Sequence, residues 1–227
     1  IATDMTNTSN YRSKTINANL RHKIGKQQEI SIDADLLNYD IRTDQFFVNR
    51  QLIAAGYEEK FRGNIPSLIK IFSAKADYNF QFDDNSTLSS GFKTSHINTD
   101  NTTSYQNFYN NLWQEDNGRS NRFLYKEDIH ALYSSLETKH GKISLQAGLR
   151  YEYTRYNAHQ LGNQQQKDSA FSRNYGGLFP SGYFSYEADS SNTLTLTVGR
   201  RLERPPFQVL NPFTSVVNKY TFQSGNP

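Results

Sequence analysis

Five histidines, His22, His96, His130, His140 and His159, are the side chains of this 227-residue chain best suited to hold a transition metal or move a proton near neutral pH. They stand far apart, without the close spacing by which one strand or helix presents a metal with two imidazoles, so no metal site is expected. Asp83-Asp84-Asn85-Ser86 offers the oxygen ligands that Ca²⁺ takes, yet it lacks the spaced acids and the glycine of an EF-hand loop and reads as a turn. The chain has no cysteine, which removes thiol nucleophiles, thiolate metal sites and disulfides together. Neither a Gly-x-Ser-x-Gly nor a His-Glu-x-x-His pattern occurs. The expectation is a protein that is not an enzyme and uses no cofactor.

Two other sets of residues carry chemistry of recognition. Tyr105, Phe108, Tyr109 and Trp113 lie among Asn and Gln between Thr99 and Ser120, where amphipathic rings could stack on a substrate or pack the segment against its neighbours. Arg21, Asp33, Asp35, Lys75, Asp77, Lys93, Arg150 and Glu152 form a second set, of both signs, spread among Ser, Thr, Asn and Gln. Groups of this kind fix strand register by cross-strand pairing or line a watery passage.

The elements that position these charges are strands of alternating polarity. Ile143, Leu145, Ala147, Leu149, Tyr151 and Tyr153 fall on one face of a strand whose other face carries Ser144, Gln146, Gly148, Arg150, Glu152 and Thr154. Phe72 to Phe82 alternate in the same way against Ser73, Lys75, Asp77, Asn79 and Gln81. Ile16–Leu20, Ile30–Leu36 and Leu194–Val198 repeat the pattern. Around residues 129–137 the faces are less distinct, and Ile129, Ala131 and Tyr133 are assigned to the apolar, outward side.

Short turns at Gly25-Lys26-Gln27-Gln28, Asp83–Ser86, His140-Gly141-Lys142 and Asp189-Ser190-Ser191-Asn192 alternate with long polar segments, Asn38–Pro66, Thr99–Ser120, Asn157–Gly177 and everything after Leu202. Eight strands in four hairpins, with every long connection at one end, is the asymmetry of a transmembrane barrel: short periplasmic turns and long extracellular loops. Within the first long segment Phe46, Phe47, Arg50, Ile53, Ala54 and Tyr57 also fit one short helix. Hydrophobic residues make up only 35% of the chain while aromatics reach 14%, which suits apolar surface confined to one face of many strands. The net charge of +3, without runs of one sign, gives no footprint for nucleic acid.

The last quarter carries the most specific pattern. Arg204-Pro205, Leu210-Asn211-Pro212-Phe213 and Gly225-Asn226-Pro227, preceded upstream by the strand Ser144–Thr154, resemble the signature of the TonB-dependent receptor family in its Bacteroidetes-type outer-membrane branch. Those motif residues read as architectural, since Pro205 and Pro212 end the preceding strand and stiffen the loop beyond it.

The resemblance implies an all-β, antiparallel transmembrane barrel segment in the outer membrane of a Gram-negative bacterium. Residues 1–227 would be part of one barrel domain without its plug, a fragment that ends inside the family pattern. The implied partners are outer-membrane lipid, the remaining strands and plug, the TonB system acting through that plug, and a surface lipoprotein. The implied role is nutrient uptake. Two rivals stay open: a complete eight-stranded outer-membrane barrel of structural or adhesive role, and a soluble β-sandwich binding module.

Overall fold

The computed structural model describes residues 2–50, 56–203, 214–218 and 221–224, the last two segments as backbone. Long strands dominate: β1 (Ala2–Ile24), β2 (Gln28–Arg50), β3 (Glu58–Asp83), β4 (Ser86–Tyr109), β6 (Asn121–His140), β7 (Ile143–Leu161) and β8 (Ser169–Glu187). The shorter β9 (Thr193–Gly199) follows β8, and β5 (Leu112–Glu115) lies beside the end of β4. Each strand pairs antiparallel with the next, in the order β1-β2-β3-β4-β6-β7-β8-β9, so that β1 and β9 are the two edges of an open sheet. A separate hairpin joins β10 (Thr214–Asn218) to β11 (Thr221–Ser224).

The four short turns lie where composition places them. Gly25 and Gly141 adopt φ of +68° and +57°, a region closed to most side chains. Asp189 closes its turn by accepting the amides of Ser191 and Asn192 through Oδ1.

The long segments, by contrast, are mostly not loops. β2 and β3 run through Asn38–Arg50 and Glu58–Pro66, β4 continues to Tyr109, and β7 and β8 cover most of 157–177. The far end of β4 turns back through Asn110 and Asn111, both at positive φ (49° and 60°), as a tight two-residue hairpin into β5. Phe46, Phe47 and Arg50 are strand residues of β2 and Tyr57 immediately precedes β3, so no helix forms at those positions. Ile53 and Ala54 lie outside the described residues.

The reason is strand length. A bilayer core needs roughly 9–11 residues of tilted strand, whereas β1 and β2 each have 23 and β3 has 26. The ladder therefore continues far beyond the membrane, where its backbone groups still satisfy one another.

Register divides the sheet into two faces. Rows of directly opposed residues place Asn19, Asp33, Lys75, Lys93, Ala131 and Glu152 on one side and Ala18, Ala34, Ala74, Thr94, His130 and Tyr153 on the other. Lys93 opposite Ala131, and Tyr133 opposite Arg150, put Ile129, Ala131 and Tyr133 on the charged side. The outward assignment of those three is thereby reversed: the apolar face of β6 carries Leu132 and Leu136. Ala131 and Ile129 misled because two apolar residues happen to fall on the polar phase.

Of the nine buried hydrophobic residues among those described, eight, Phe47, Phe61, Tyr105, Phe123, Tyr125, Ala131, Tyr156 and Ala158, belong to the charged side, and Val48 alone lies on the other. A single layer can bury one face only by curving toward it, so this is the inner face of a curved wall.

The candidate functional surface, a two-faced wall

The outer face has two zones. Near the short turns it is apolar: Ile16, Leu20, Ile24, Ile32, Leu36, Phe72, Phe92, Leu132, Leu145, Leu149, Leu178, Leu194 and Val198 are exposed together. Tyr151 and Tyr153 stand at its upper limit on β7 and Tyr186 at its lower limit on β8, which is the girdle position of barrel aromatics. The apolar run covers Ile16–Ile24 on β1 and Ile143–Tyr153 on β7, matching a hydrocarbon core in height.

Further from the turns, the outer face becomes charged and self-paired. Arg122 clamps Asp100 with two bonds, Nε to Oδ1 at 2.9 Å and a terminal nitrogen to Oδ2 at 2.6 Å. That hydrogen-bonded guanidinium holds the Asp100 carboxyl below its ordinary pKa. Arg50 joins Asp4 and Glu58, and Arg42 lies 3.4 Å from Asp40.

The inner face changes in the opposite sense. Level with the apolar band it holds a neutralised polar network: Lys75 Nζ is 2.6 Å from Asp77 Oδ2, the Tyr133 hydroxyl donates to Asp77 Oδ1 at 2.5 Å, and Arg150 Nε donates to Glu152 Oε1 at 2.5 Å. The Arg150 guanidinium also lies 5.2 Å from the Tyr133 ring centre. Asn19 and Asn17 donate to Asp33 and Asp35 across β1 and β2. The expected inward charges thus pair along single strands, Lys75 with Asp77 on β3 and Arg150 with Glu152 on β7, and Tyr133, whose spacing had suggested an outward position, ties β6 to Asp77.

Above the band the inner face turns aromatic. Phe47 stacks on Phe61 with ring centres 4.2 Å apart, and the buried Tyr105 packs against the same pair while its hydroxyl donates to Gln45 at 2.8 Å. Phe123, Tyr125, Tyr156 and Ala158 make a second cluster, flanked by Phe171.

The four loop aromatics are not brought to one surface. Tyr105 faces inward at 1% exposure, covering Gly63. Phe108 and Trp113 pair on the outer side, ring centres 5.1 Å apart, with Arg62 4.4 Å above the indole. Tyr109, 63% exposed, stands beside the tip of that hairpin. The residues Arg204, Pro205, Leu210, Asn211, Pro212, Phe213, Gly225, Asn226 and Pro227 lie outside the described residues. Among the described residues no group of three or more acids and histidines could hold a metal, although His96 and His130 do meet, with ring centres 5.7 Å apart.

A curved antiparallel sheet with a membrane-high apolar exterior and a polar interior defines a β-barrel protein of the outer membrane. Residues 22–227 match the Outer membrane protein beta-barrel family, and the chain belongs to it. Its place is therefore the outer membrane of a Gram-negative bacterium.

Solved structures share the fold. The unliganded ferric citrate transporter FecA matches at TM-score 0.53 and 14% identity over 82% of this chain. The ferric yersiniabactin uptake receptor FyuA from Yersinia pestis matches at TM-score 0.52 and 9% identity over 79% of this chain. The chain spans 26% and 36% of their respective lengths. No match emerges among curated proteins.

Proposed function

We propose that this chain forms part of the wall and extracellular mouth of a TonB-dependent outer-membrane receptor that imports a nutrient. The observation that carries this reading is the inner face. An open eight-strand wall lined by paired charges level with the membrane, and by aromatic clusters above it, suits a lumen filled by another folded unit. Further strands would complete the barrel against the edges β1 and β9, a plug would fill the lumen, and TonB would act through the plug. The fold likeness to FecA and FyuA supports that architecture. The chain itself would bind and guide, without catalysis.

At the mouth, Tyr109 is the proposed substrate contact, with Tyr105 behind it shaping the wall and the outward pair Phe108 and Trp113 bracing the β4–β5 hairpin that carries it. A surface lipoprotein would dock against the same rim. The test is capture of the full-length protein, from detergent extract, by an immobilised periplasmic domain of TonB. Retention is expected; a full-length protein that never binds TonB contradicts the reading.

The complete eight-stranded barrel requires β1 to pair with β9, and the sandwich requires a second layer over the apolar face. Neither pairing nor layer is present among the described residues.

A further inference from the structure

One row of the outer face runs directly above the apolar band on β1 to β4 and, on β6 and β7, one step further out beyond Asp128 and Arg155; its composition is regular. Lys14 opposes Asn38, Asn38 opposes Lys70, Lys70 opposes Asn98, Asn98 opposes Lys126 and Lys126 opposes Asn157. Lysine and asparagine thus alternate across six neighbouring strands, from β1 to β7. With strands spaced about 4.8 Å, successive lysines are about 10 Å apart.

These three lysines are all exposed, and none has a carboxylate partner among the described residues, although the nearby cations Arg42, Arg50, Lys60 and Arg122 do. Arg12, one residue pair further out on β1, stands opposite Asp40, and Arg155, one pair inward on β7, stands opposite Asp128. Asp128, the acid nearest to Lys126 along β6, is engaged by His96 at 2.6 Å.

The row below completes the shape. Ile16, Leu36, Phe72 and His96 form its floor on β1 to β4, and together with Lys14, Asn38, Lys70 and Asn98 they line a groove of about 300 Å³. Cations and amide donors therefore sit at the polar rim of an apolar cleft that opens sideways into the bilayer, level with its outer headgroups.

We propose that this groove binds a phosphorylated lipid of the outer leaflet. Its phosphates would lie on Lys14, Lys70 and Lys126, its sugar or glycerol hydroxyls on Asn38 and Asn98, and an acyl chain along Ile16, Leu36 and Phe72. Unpaired lysines at this height fit a phosphate because an anionic surface supplies the counter-charge that the protein omits. A protein partner would need the apolar floor to leave lipid, which gains little, since hydrocarbon is as apolar as the floor.

The test uses the full-length receptor in detergent, with native mass spectrometry reading the affinity for lipid A carrying two phosphates and for its dephosphorylated form. Lys14→Gln, Lys70→Gln and Lys126→Gln combined should weaken the phosphorylated lipid on the order of 100-fold, and Lys70→Gln alone about fivefold. The same three positions changed to Arg should retain it. Lys23→Gln with Lys26→Gln, at the opposite membrane edge, should leave it unchanged, and the dephosphorylated lipid should bind every version equally weakly. Equal affinity of the parent and the triple Gln variant for the phosphorylated lipid overturns the proposal, as does an equal loss from the Lys23/Lys26 pair. Heat-modifiable migration on a denaturing gel verifies that each variant is folded, and the single variant decides the matter if the triple is not.

Discussion

Tyr133 on β6 reaches across the whole width of β4 to donate its hydroxyl proton to Asp77 on β3, and Gly91 is what lets it pass. A Cβ at Gly91 would stand 2.6 Å from both the Tyr133 hydroxyl and Asp77 Oδ1. Three strands are thus latched by one ring lying over one glycine, the device by which an aromatic covers bare backbone in a sheet. Gly91→Ala should push the ring aside and cost about 1–2 kcal/mol, close to Tyr133→Phe, because each removes the same charge-assisted bond. Gly182→Ala, whose added carbon meets nothing nearer than 3.9 Å, serves as the control and should cost little. Denaturant midpoints of the full-length protein in lipid vesicles measure all three; equal costs at Gly91 and Gly182 would remove the latch.

The lipid-facing assignment of β7 gives a second expectation. Leu145→Arg or Leu149→Arg should cost roughly 2–4 kcal/mol in a bilayer, falling toward zero with distance from the midplane. Gln146→Arg, on the polar side between them, should cost much less. Refolding titrations into vesicles separate the two faces, and equal sensitivity would mean that the sheet does not stand in lipid on one side only.

How much of this was legible in sequence depended on which zone a residue occupies. Within the membrane band of β3 and β7, apolar and polar residues alternate, so the faces of Phe72–Phe82 and Ile143–Thr154 could be assigned from spacing alone, whereas on β6 they could not. The same strands beyond the band looked like loops because their outward residues become Asn, Asp, Lys and Arg while their inward ones become Phe, Tyr and Ile. Alternation persists there with its polarity exchanged, and Phe47, Phe61 and Tyr105 are that exchanged phase. The row of Lys14, Lys70 and Lys126 was invisible for a different reason. Its members are dozens of residues apart in sequence, and only register aligns them.

Sidedness comes from placing the short turns in the periplasm. Single cysteines at Asn107 and Gln164 of the full-length protein, both exposed beyond the band, should react with a membrane-impermeant thiol reagent on intact cells. A cysteine at Asn85, in the β3–β4 turn, should react only after the outer membrane is opened. Labelling at Asn85 alone would invert the topology.

The Arg122–Asp100 clamp links acidity to the extracellular part of the wall. Because the Asp100 pKa is lowered in the folded state, the clamp contributes fully above the ordinary carboxylate range and is lost as pH falls through the lowered value. Amide exchange in β4 and β6 around Asp100 and Arg122, taken relative to its acid-slowed intrinsic rate, should therefore quicken below about pH 4. Asp100→Asn should be faster already at neutral pH, by a small margin because the pair is partly solvated, and should lose the acid-dependent step. An identical acid response in parent and variant would assign that step to other carboxylates.

The exchange of polarity along one strand is the central claim, and a spin-label scan of β3 in the full-length protein, reconstituted in vesicles, tests it most directly. Between residues 72 and 80 the even positions should be reached by oxygen dissolved in the bilayer and the odd ones should not. Between 60 and 70 the even positions should instead be reached by a water-soluble nickel complex, while the odd positions 61, 63 and 65 are shielded from both. Even positions that remain oxygen-accessible all the way to residue 60, or odd ones that become lipid-exposed there, would contradict the two-zone wall.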